Sequence, residues 1–169
     1  MMTRDDFIRR FGGVFEHSPF IAERAWDQGL IDQPLQAEAV HKALCAVFRD
    51  ADAEQRLKVL RAHPDLAGRL AMAGGLTEES KSEQAGAGLD RLTASEHARF
   101  TELNERYVTE FGFPFIIAVK GHDKHSILAE FERRITNPVD TEFAVACGEV
   151  EKIAGFRIFD LLAGQGASG

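Results

Sequence analysis

Apolar side chains recur at helical spacing along almost the whole chain, whereas the strict alternation of a half-buried strand does not occur. Clear examples are residues 40–48 and residues 100–111. Because spacings of three and four residues place side chains on one face of a helix, each run predicts an amphipathic helix. No linker, repeat or low-complexity segment divides residues 1–169. The sequence therefore predicts an all-α fold, a single compact multi-helix domain with a flexible tail from about residue 164.

Short polar side chains predict where these helices begin, because they accept hydrogen bonds from the first free backbone N–H groups of a helix. The predicted N-terminal caps are Thr3, Ser18, Asp32, Asp52, Thr77 or Ser80, Thr93 and Thr141. Glycine pairs and prolines predict the ends, which leaves a short helix at residues 65–73. One apolar run, residues 113–119, fits a buried strand and a buried helical segment equally well.

Charge and hydropathy exclude several classes of protein. The net charge is −7, whereas a general nucleic-acid-binding protein needs a basic face, so no nucleic-acid partner is expected. No run reaches the ~18 apolar residues of a membrane span, and residues 1–13 are too charged for a signal peptide. Residues 166–169 do not form a peroxisomal tripeptide signal. The expected location is the cytoplasm, with no membrane partner.

The cysteines and histidines do not predict a metal site. Cys45 and Cys147 are the only cysteines and form no closely spaced pair, so neither a disulfide scaffold nor a zinc ribbon is expected. His41 and Cys45 lie one helical turn apart, but two ligands are too few to hold a metal ion. Phosphate-loop, dinucleotide-binding and zinc-protease motifs are also missing. We therefore expect no metal and no cofactor.

The segment HPDL, residues 63–66, places a histidine at a forced break between helices. Pro64 disfavours helical backbone at the residue before it, so His63 is expected on a bend at a helix end. An imidazole that titrates near neutral pH and faces a cleft can transfer protons. The plainer interpretation is a histidine that donates to the carbonyls of the preceding helical turn.

The segment SKSEQ, residues 80–84, gathers hydroxyls, a carboxylate and an amide near a helix start. Glu83 is a candidate to orient the imidazole of His63, although it also suits the positive end of a helix, and the serines also suit capping. Gly86 and Gly88 would each cost about 1 kcal/mol inside a helix relative to alanine. Their presence favours a close approach of backbone or ligand at this point.

Arg157 is the second unusual residue, because its side chain begins on the apolar face of the last helix. At about 100° per residue it falls roughly 40° from the line through Phe143 and Leu161. A guanidinium on such a face must meet an anion or extend to solvent. Spacing alone favours a buried ion pair with an acidic side chain. The alternative is a planar anionic or carbonyl-rich ligand, which the forked guanidinium suits.

Several segments, taken in order, together resemble a known family. They are FGGVFEHSP (11–19), HPDLAG (63–68), SKSEQAGAG (80–88), FGFPFIIAVKG (111–121) and the late Arg157. The combination is similar to the family of 2-oxo-4-hydroxy-4-carboxy-5-ureidoimidazoline (OHCU) decarboxylase, the enzyme of urate breakdown that yields (S)-allantoin. The resemblance implies a cofactor-free, all-α homodimer that acts on a small ureide substrate.

The resemblance also implies roles for single residues. His63 matches the family's catalytic histidine, Glu83 its assisting glutamate and Arg157 its substrate-holding arginine. The further implied substrate contacts are Pro64, Ser80, Lys81, Ser82, Gln84, Phe115, Ile116, Ile117, Ala118 and Val119. Two other functions are compatible with the same residues. One is a non-catalytic helical module that binds a ureide or a partner helix, and the other is a different lyase or isomerase acting on another small acid.

Overall fold

The computed structural model describes residues 1–64, 66 and 78–166, apart from the side chains of residues 78–80 and 165–166. This part of the chain contains eight helices and no strand, which confirms the all-α prediction. The helices are α1 (Arg4–Phe11), α2 (Phe20–Asp27), α3 (Ala37–Asp50), α4 (Ala53–Ala62), α5 (Glu78–Gly86), α6 (Ala94–Phe111), α7 (Lys124–Arg134) and α8 (Val139–Gly166). The helix predicted at residues 65–73 and the cap predicted at Thr77 lie outside the described residues, except for Leu66. None of the described helices combines the length and the apolarity needed to cross a membrane.

Three of the predicted caps form as expected. Thr3 accepts a hydrogen bond from the Asp6 N–H at 3.2 Å, and Asp6 bonds back to Thr3, which completes a capping box before α1. Thr93 and Glu96 form the same box before α6. Asp52 accepts from the backbone N–H three residues later at 2.8 Å, before α4. These caps were predictable because both partners lie within one helical turn.

Two helices do not begin at their predicted caps, because a proline lies near the start of each. α2 begins after Pro19, and the Ser18 hydroxyl donates to the Glu16 carbonyl at 2.8 Å instead of capping the helix. α3 begins well after Asp32, so the cap predicted there was wrong. Pro34 lies between Asp32 and the helix, and a proline disfavours helical backbone at the residue before it.

The longest helix, α8, begins two residues before its predicted cap. Val139 is its first residue, and the Pro138 carbonyl accepts the Glu142 N–H at 3.0 Å, so Thr141 lies inside the first turn. Proline suits a helix start because its fixed φ matches the helix and it has no N–H to leave unpaired. The cap at Thr141 was therefore wrong by less than one turn.

Residues 113–119 form neither of the two structures predicted for them. The segment is irregular and buried, and it connects α6 to α7 along the chain. Pro114 has no N–H to offer a sheet, and the Ile116 carbonyl accepts a hydrogen bond from the Arg134 side chain at 2.7 Å. A distant side chain, rather than a helix or a strand ladder, thus holds this backbone.

The described residues group into two compact units, each with its own phenylalanine-rich core. Unit 1 comprises Met1–Ala62 and Val150–Gly169, and unit 2 comprises His63–Glu149. In unit 2 the rings of Phe115 and Phe131 stack with their centroids 3.9 Å apart. The buried phenylalanines of the two units include Phe7, Phe11, Phe15 and Phe48 in the first and Phe100, Phe113, Phe115 and Phe131 in the second. The single-domain interpretation stays a prediction.

Candidate active site

His63 lies where the sequence predicted, directly after the end of α4. Its side chain is buried, with 7% of the residue exposed. Three residues later the Leu66 carbonyl accepts a hydrogen bond from the Asn104 side-chain amide at 2.9 Å, and both residues are buried. The segment that carries His63 is therefore attached to α6, which restricts the backbone that presents the imidazole.

The helix α5 carries the predicted site residues 81–84 at different depths. Gln84 is buried, Glu83 is half-buried, and Lys81 and Ser82 are exposed. α5 begins at Glu78, so Ser80 lies inside the helix and does not cap it, and the Ser80 side chain lies outside the described residues. Depth alone therefore favours the carboxylate and the amide over the lysine as groups that meet a sheltered ligand.

Gly88 ends this helix instead of lying within it. Its φ of +82° is left-handed, a conformation that glycine adopts without strain. The Leu89 N–H donates to the Gln84 carbonyl at 3.0 Å, and the Gly88 N–H donates to the Ala85 carbonyl at 3.0 Å. This pair of bonds is a Schellman motif, which satisfies the last carbonyls of a helix. No described protein atom lies within 4 Å of a Cβ built on Gly88, so the predicted close approach of backbone was wrong there. The left-handed turn accounts for this glycine, and the approach of a ligand stays a prediction.

The implied substrate contacts at residues 115–119, called the apolar wall from here on, are buried residues in an irregular backbone. Its members are Phe115, Ile116, Ile117, Ala118 and Val119, and all are at most 9% exposed. The Val119 carbonyl accepts the His122 N–H at 2.9 Å, which closes the turn that follows. Among the described residues, the backbone N–H groups of Ile117, Ala118 and Val119 donate no hydrogen bond to one another or to their neighbours. Buried donors of this kind suit a ligand that brings carbonyl or carboxylate oxygens.

Arg157 belongs to unit 1 and makes the ion pair that spacing favoured. Its Nη1 lies 2.7 Å from the Glu16 carboxylate, and the two side chains are 7% and 1% exposed. The same nitrogen donates to the Val14 carbonyl at 3.4 Å and to the Gly13 carbonyl at 3.5 Å. The turn formed by the motif FGGVFEHSP therefore surrounds one end of the guanidinium. Its predicted role in holding substrate stays a prediction.

The weak metal candidate, His41 with Cys45, has a different role. His41 Nε2 lies 2.7 Å from the Glu151 carbonyl, and a Cβ built on Gly155 would lie 2.9 Å from the imidazole, so His41 packs between α3 and α8. Burial raises the pKa of the Cys45 thiol to about 12, which keeps it protonated and a poor metal ligand. In the described part of the chain, no three His, Cys, Asp or Glu side chains are grouped to hold a metal ion.

Three buried polar residues that support the candidate site were not predicted from the sequence. Glu16 lies inside a quoted motif, where an acidic residue among apolar neighbours was an available signal. Asn104 lies four residues after Phe100 and three before Tyr107, so helical spacing already places it on the buried face of α6. Arg134 gave no local signal, because an arginine near a helix end is ordinary on a surface.

These features together indicate a class of protein. An all-α fold with a buried histidine at a helix end, a half-buried glutamate, and a buried segment that offers backbone donors suits a helical enzyme for a small polar substrate. Comparison with known proteins then identifies the family.

The family model for OHCU decarboxylase matches residues 1–159. The OHCU decarboxylase of Haloferax volcanii is 41% identical over 155 residues, which cover 91% of this chain and 88% of that protein. The putative human OHCU decarboxylase is 41% identical over 162 residues, which cover 95% of this chain and 91% of the human one. The chain belongs to the OHCU decarboxylase family, which confirms the resemblance.

Solved structures show the same fold. A crystal structure of (S)-allantoin synthase matches with a TM-score of 0.76 at 29% identity, and the match covers 95% of this chain and 51% of that chain. A crystal structure of OHCU decarboxylase in the presence of (S)-allantoin matches with a TM-score of 0.69 at 23% identity, a likeness that concerns the fold. The chain thus spans about half of the (S)-allantoin synthase and most of the second protein.

Proposed function

We propose that this chain decarboxylates OHCU to (S)-allantoin in urate degradation. The observation that carries the proposal is the family match, because it spans residues 1–159 and so includes His63, Glu83 and Arg157. The relatives at 41% identity, named as OHCU decarboxylases, support the same substrate class, a small ureide.

The reaction makes limited demands on the protein. The substrate carries a carboxylate and a hydroxyl on one ring carbon, beside a C=N carbon that bears the ureido group. When the bond to the carboxylate breaks, its electron pair moves toward the C=N and CO2 leaves, which gives an enol-like intermediate. A proton must then reach the neighbouring carbon on one face. The substrate is its own electron sink, so the protein has to bind, orient and supply the proton.

His63 is proposed as the group that transfers the proton, with Glu83 orienting its ring or sharing the hydroxyl proton of the substrate. Burial of the imidazole and its attachment through Leu66 to α6 support a fixed direction of delivery. Stereospecific formation of one allantoin enantiomer requires such a direction. In this scheme the half-buried carboxylate of Glu83 faces the imidazole and stabilises its charged form.

The remaining predicted residues are proposed to bind the substrate. Gln84 and the N–H groups of Ile117, Ala118 and Val119 suit the ring and ureido carbonyls, and their burial strengthens such bonds. Arg157 suits an anionic or carbonyl group, since Glu16 already fixes its guanidinium. The apolar side chains of this wall favour conversion of a charged carboxylate into neutral CO2. Contacts from Pro64, Ser80, Lys81 and Ser82 complete the proposed set.

The test replaces His63 with asparagine and uses His125→Asn as the matched control, because His125 is exposed. Fresh OHCU is made by urate oxidase and hydroxyisourate hydrolase, and circular dichroism follows (S)-allantoin. We expect His63→Asn to lower the rate about 10²–10⁴-fold, the usual contribution of general acid–base catalysis, with unchanged far-ultraviolet dichroism. The control should match wild type. Near-normal turnover by His63→Asn would contradict a role for His63 in proton transfer. A wild-type rate no higher than the rate in buffer alone would contradict the proposed decarboxylase activity.

We also propose that the chain works as a homodimer in the cytoplasm. The resemblance supports the dimer, and the exposed Phe156 and Phe159 of α8 supply apolar surface suited to pairing. Light scattering after gel filtration should give twice the 18.7 kDa of one chain, and a single-chain mass would contradict the dimer. Cell fractionation of a tagged protein tests the location, and recovery with membranes would count against it.

A further inference from the structure

Unit 2 contains a buried ion pair that the proposed mechanism does not use. Arg134 and Glu142 are 1% and 0% exposed. Arg134 Nη2 donates to Glu142 Oε2 at 3.0 Å, and Arg134 Nε donates to both carboxylate oxygens at 3.2 Å. The Tyr107 hydroxyl donates to Oε2, and the Asn137 amide donates to Oε1 at 2.9 Å. The carboxylate is therefore held from three directions.

Packing alone does not account for an ion pair at this position, because burying two charges has a large cost in free energy. Removing two charges from water costs several kcal/mol per ion, and apolar side chains of the same volume often stabilise a core at least as well. Burial and the adjacent Glu142 carboxylate raise the pKa of Tyr107, so its hydroxyl stays a donor over the whole accessible pH range. A buried network that is fully paired is better explained by what it orients.

The third guanidinium nitrogen of Arg134 contacts the segment that this network orients. Nη1 donates to the Ile116 carbonyl at 2.7 Å, within the irregular segment 113–119. The guanidinium carbon also lies 4.3 Å from the centre of the Phe115 ring, which stacks on Phe131 and meets the edge of Tyr107. Two successive residues of the segment are thus fixed, one through its carbonyl and one through its ring.

Fixing the Ile116 carbonyl also fixes the donor that follows it. The Ile116 carbonyl and the Ile117 N–H belong to one planar, trans peptide unit, in which the two bonds point in opposite directions. When Arg134 draws the carbonyl toward the buried ion pair, the Ile117 N–H must point away from that pair. This N–H is one of the donors proposed above to meet the substrate.

We propose that Arg134, held by Glu142, is a positioning residue that aims the Ile117 N–H at the substrate. The inference rests on the proposed function, since it assigns a donor to that reaction. Decarboxylation moves an electron pair into the C=N and, through it, onto the conjugated ring carbonyl. A correctly aimed N–H at that carbonyl therefore stabilises the transition state more than the ground state. Its loss should therefore lower kcat and kcat/KM together.

The test compares Arg134→Lys with Arg133→Lys, the same change at the neighbouring residue, whose side chain is 63% exposed. A lysine at 134 cannot bond Glu142 and Ile116 at the same time in the forked geometry of arginine. We expect kcat and kcat/KM to fall together about 10–100-fold in Arg134→Lys, and a changed amide resonance of Ile117 in ¹H–¹⁵N NMR spectra. Arg133→Lys should match wild type in both.

Each result decides between the hypotheses. Equal kcat values for the two lysine variants, with active wild-type enzyme, would overturn the positioning role alone. If wild type itself does not accelerate the reaction, the proposed function fails and the positioning role falls with it. Where Arg134→Lys does not fold, the double variant Arg134→Met with Glu142→Met removes both charges and avoids an unpaired one. That variant should show the same loss of kcat, and wild-type kcat in it would overturn the inference.

Discussion

The pair between Glu16 and Arg157 allows a quantitative prediction of stability. Glu16→Gln keeps the shape of the side chain but removes its charge, next to a guanidinium nitrogen 2.7 Å away. Because the two side chains are 1% and 7% exposed, water cannot replace the lost charge. Breaking a buried pair by removing one partner typically costs 3–5 kcal/mol. The glutamine oxygen and the Val14 carbonyl still accept from Arg157, so we expect about 3 kcal/mol, the low end of that range.

The matched control is Arg4→Gln, which breaks an ion pair with Asp27 in the same unit. The two side chains are 44% and 55% exposed, so solvent screens the pair and we expect a much smaller loss than for Glu16→Gln. Urea unfolding followed by the fluorescence of Trp26, the single tryptophan, reports on unit 1. Equal m-values in the two variants would show that the midpoints compare stability alone.

Equal losses of unfolding free energy in the two variants would contradict a buried pair that water does not reach. A loss below about 1 kcal/mol for Glu16→Gln would mean that the pair is effectively solvated, as surface pairs are. Such a result would also contradict the proposal that Glu16 holds the Arg157 guanidinium in position for a ligand.

Two further predictions concern unit 2. Asn104→Ala removes the donor to the Leu66 carbonyl and should cost about 1–3 kcal/mol, the penalty of a buried unpaired acceptor, which urea unfolding would measure; a cost near zero would contradict the attachment. The pKa of Glu96 is lowered to about 2 from 4.5, first by the hydrogen bond from Lys124 and then by the Thr93 N–H. A lowered carboxyl pKa contributes stability that is complete above about pH 4.5 and lost as pH falls toward 2. The destabilisation by Glu96→Gln should therefore shrink between about pH 5 and pH 3, and a constant difference would contradict it.

The sequence predicted those features that neighbouring residues decide. Both ends of α6 follow from a capping box at Thr93 and a left-handed glycine at Gly112, each within one turn of its partners. The family was also recognisable, since its motifs are short segments that can be read along the chain. The order of helices follows from the same local patterns.

The features that sequence reasoning missed depend on distant partners. The backbone near Ile116 is irregular because Arg134, eighteen residues away, supplies its hydrogen bond. The partner of Arg157 lies 141 residues earlier, so helical spacing could show that the guanidinium needed an anion but could not choose Glu16. The start of α3 was misplaced because a cap signal at Asp32 was weighed without the effect of Pro34.

The close approach of Gly155 to the ring of His41 has a consequence for how this family can vary. Even a methyl group at position 155 would overlap the imidazole, which its bond to the Glu151 carbonyl holds in place. A larger residue at 155 is therefore compatible only with a smaller one at 41. Substitutions at these two sites should appear as correlated pairs among relatives, with total volume conserved.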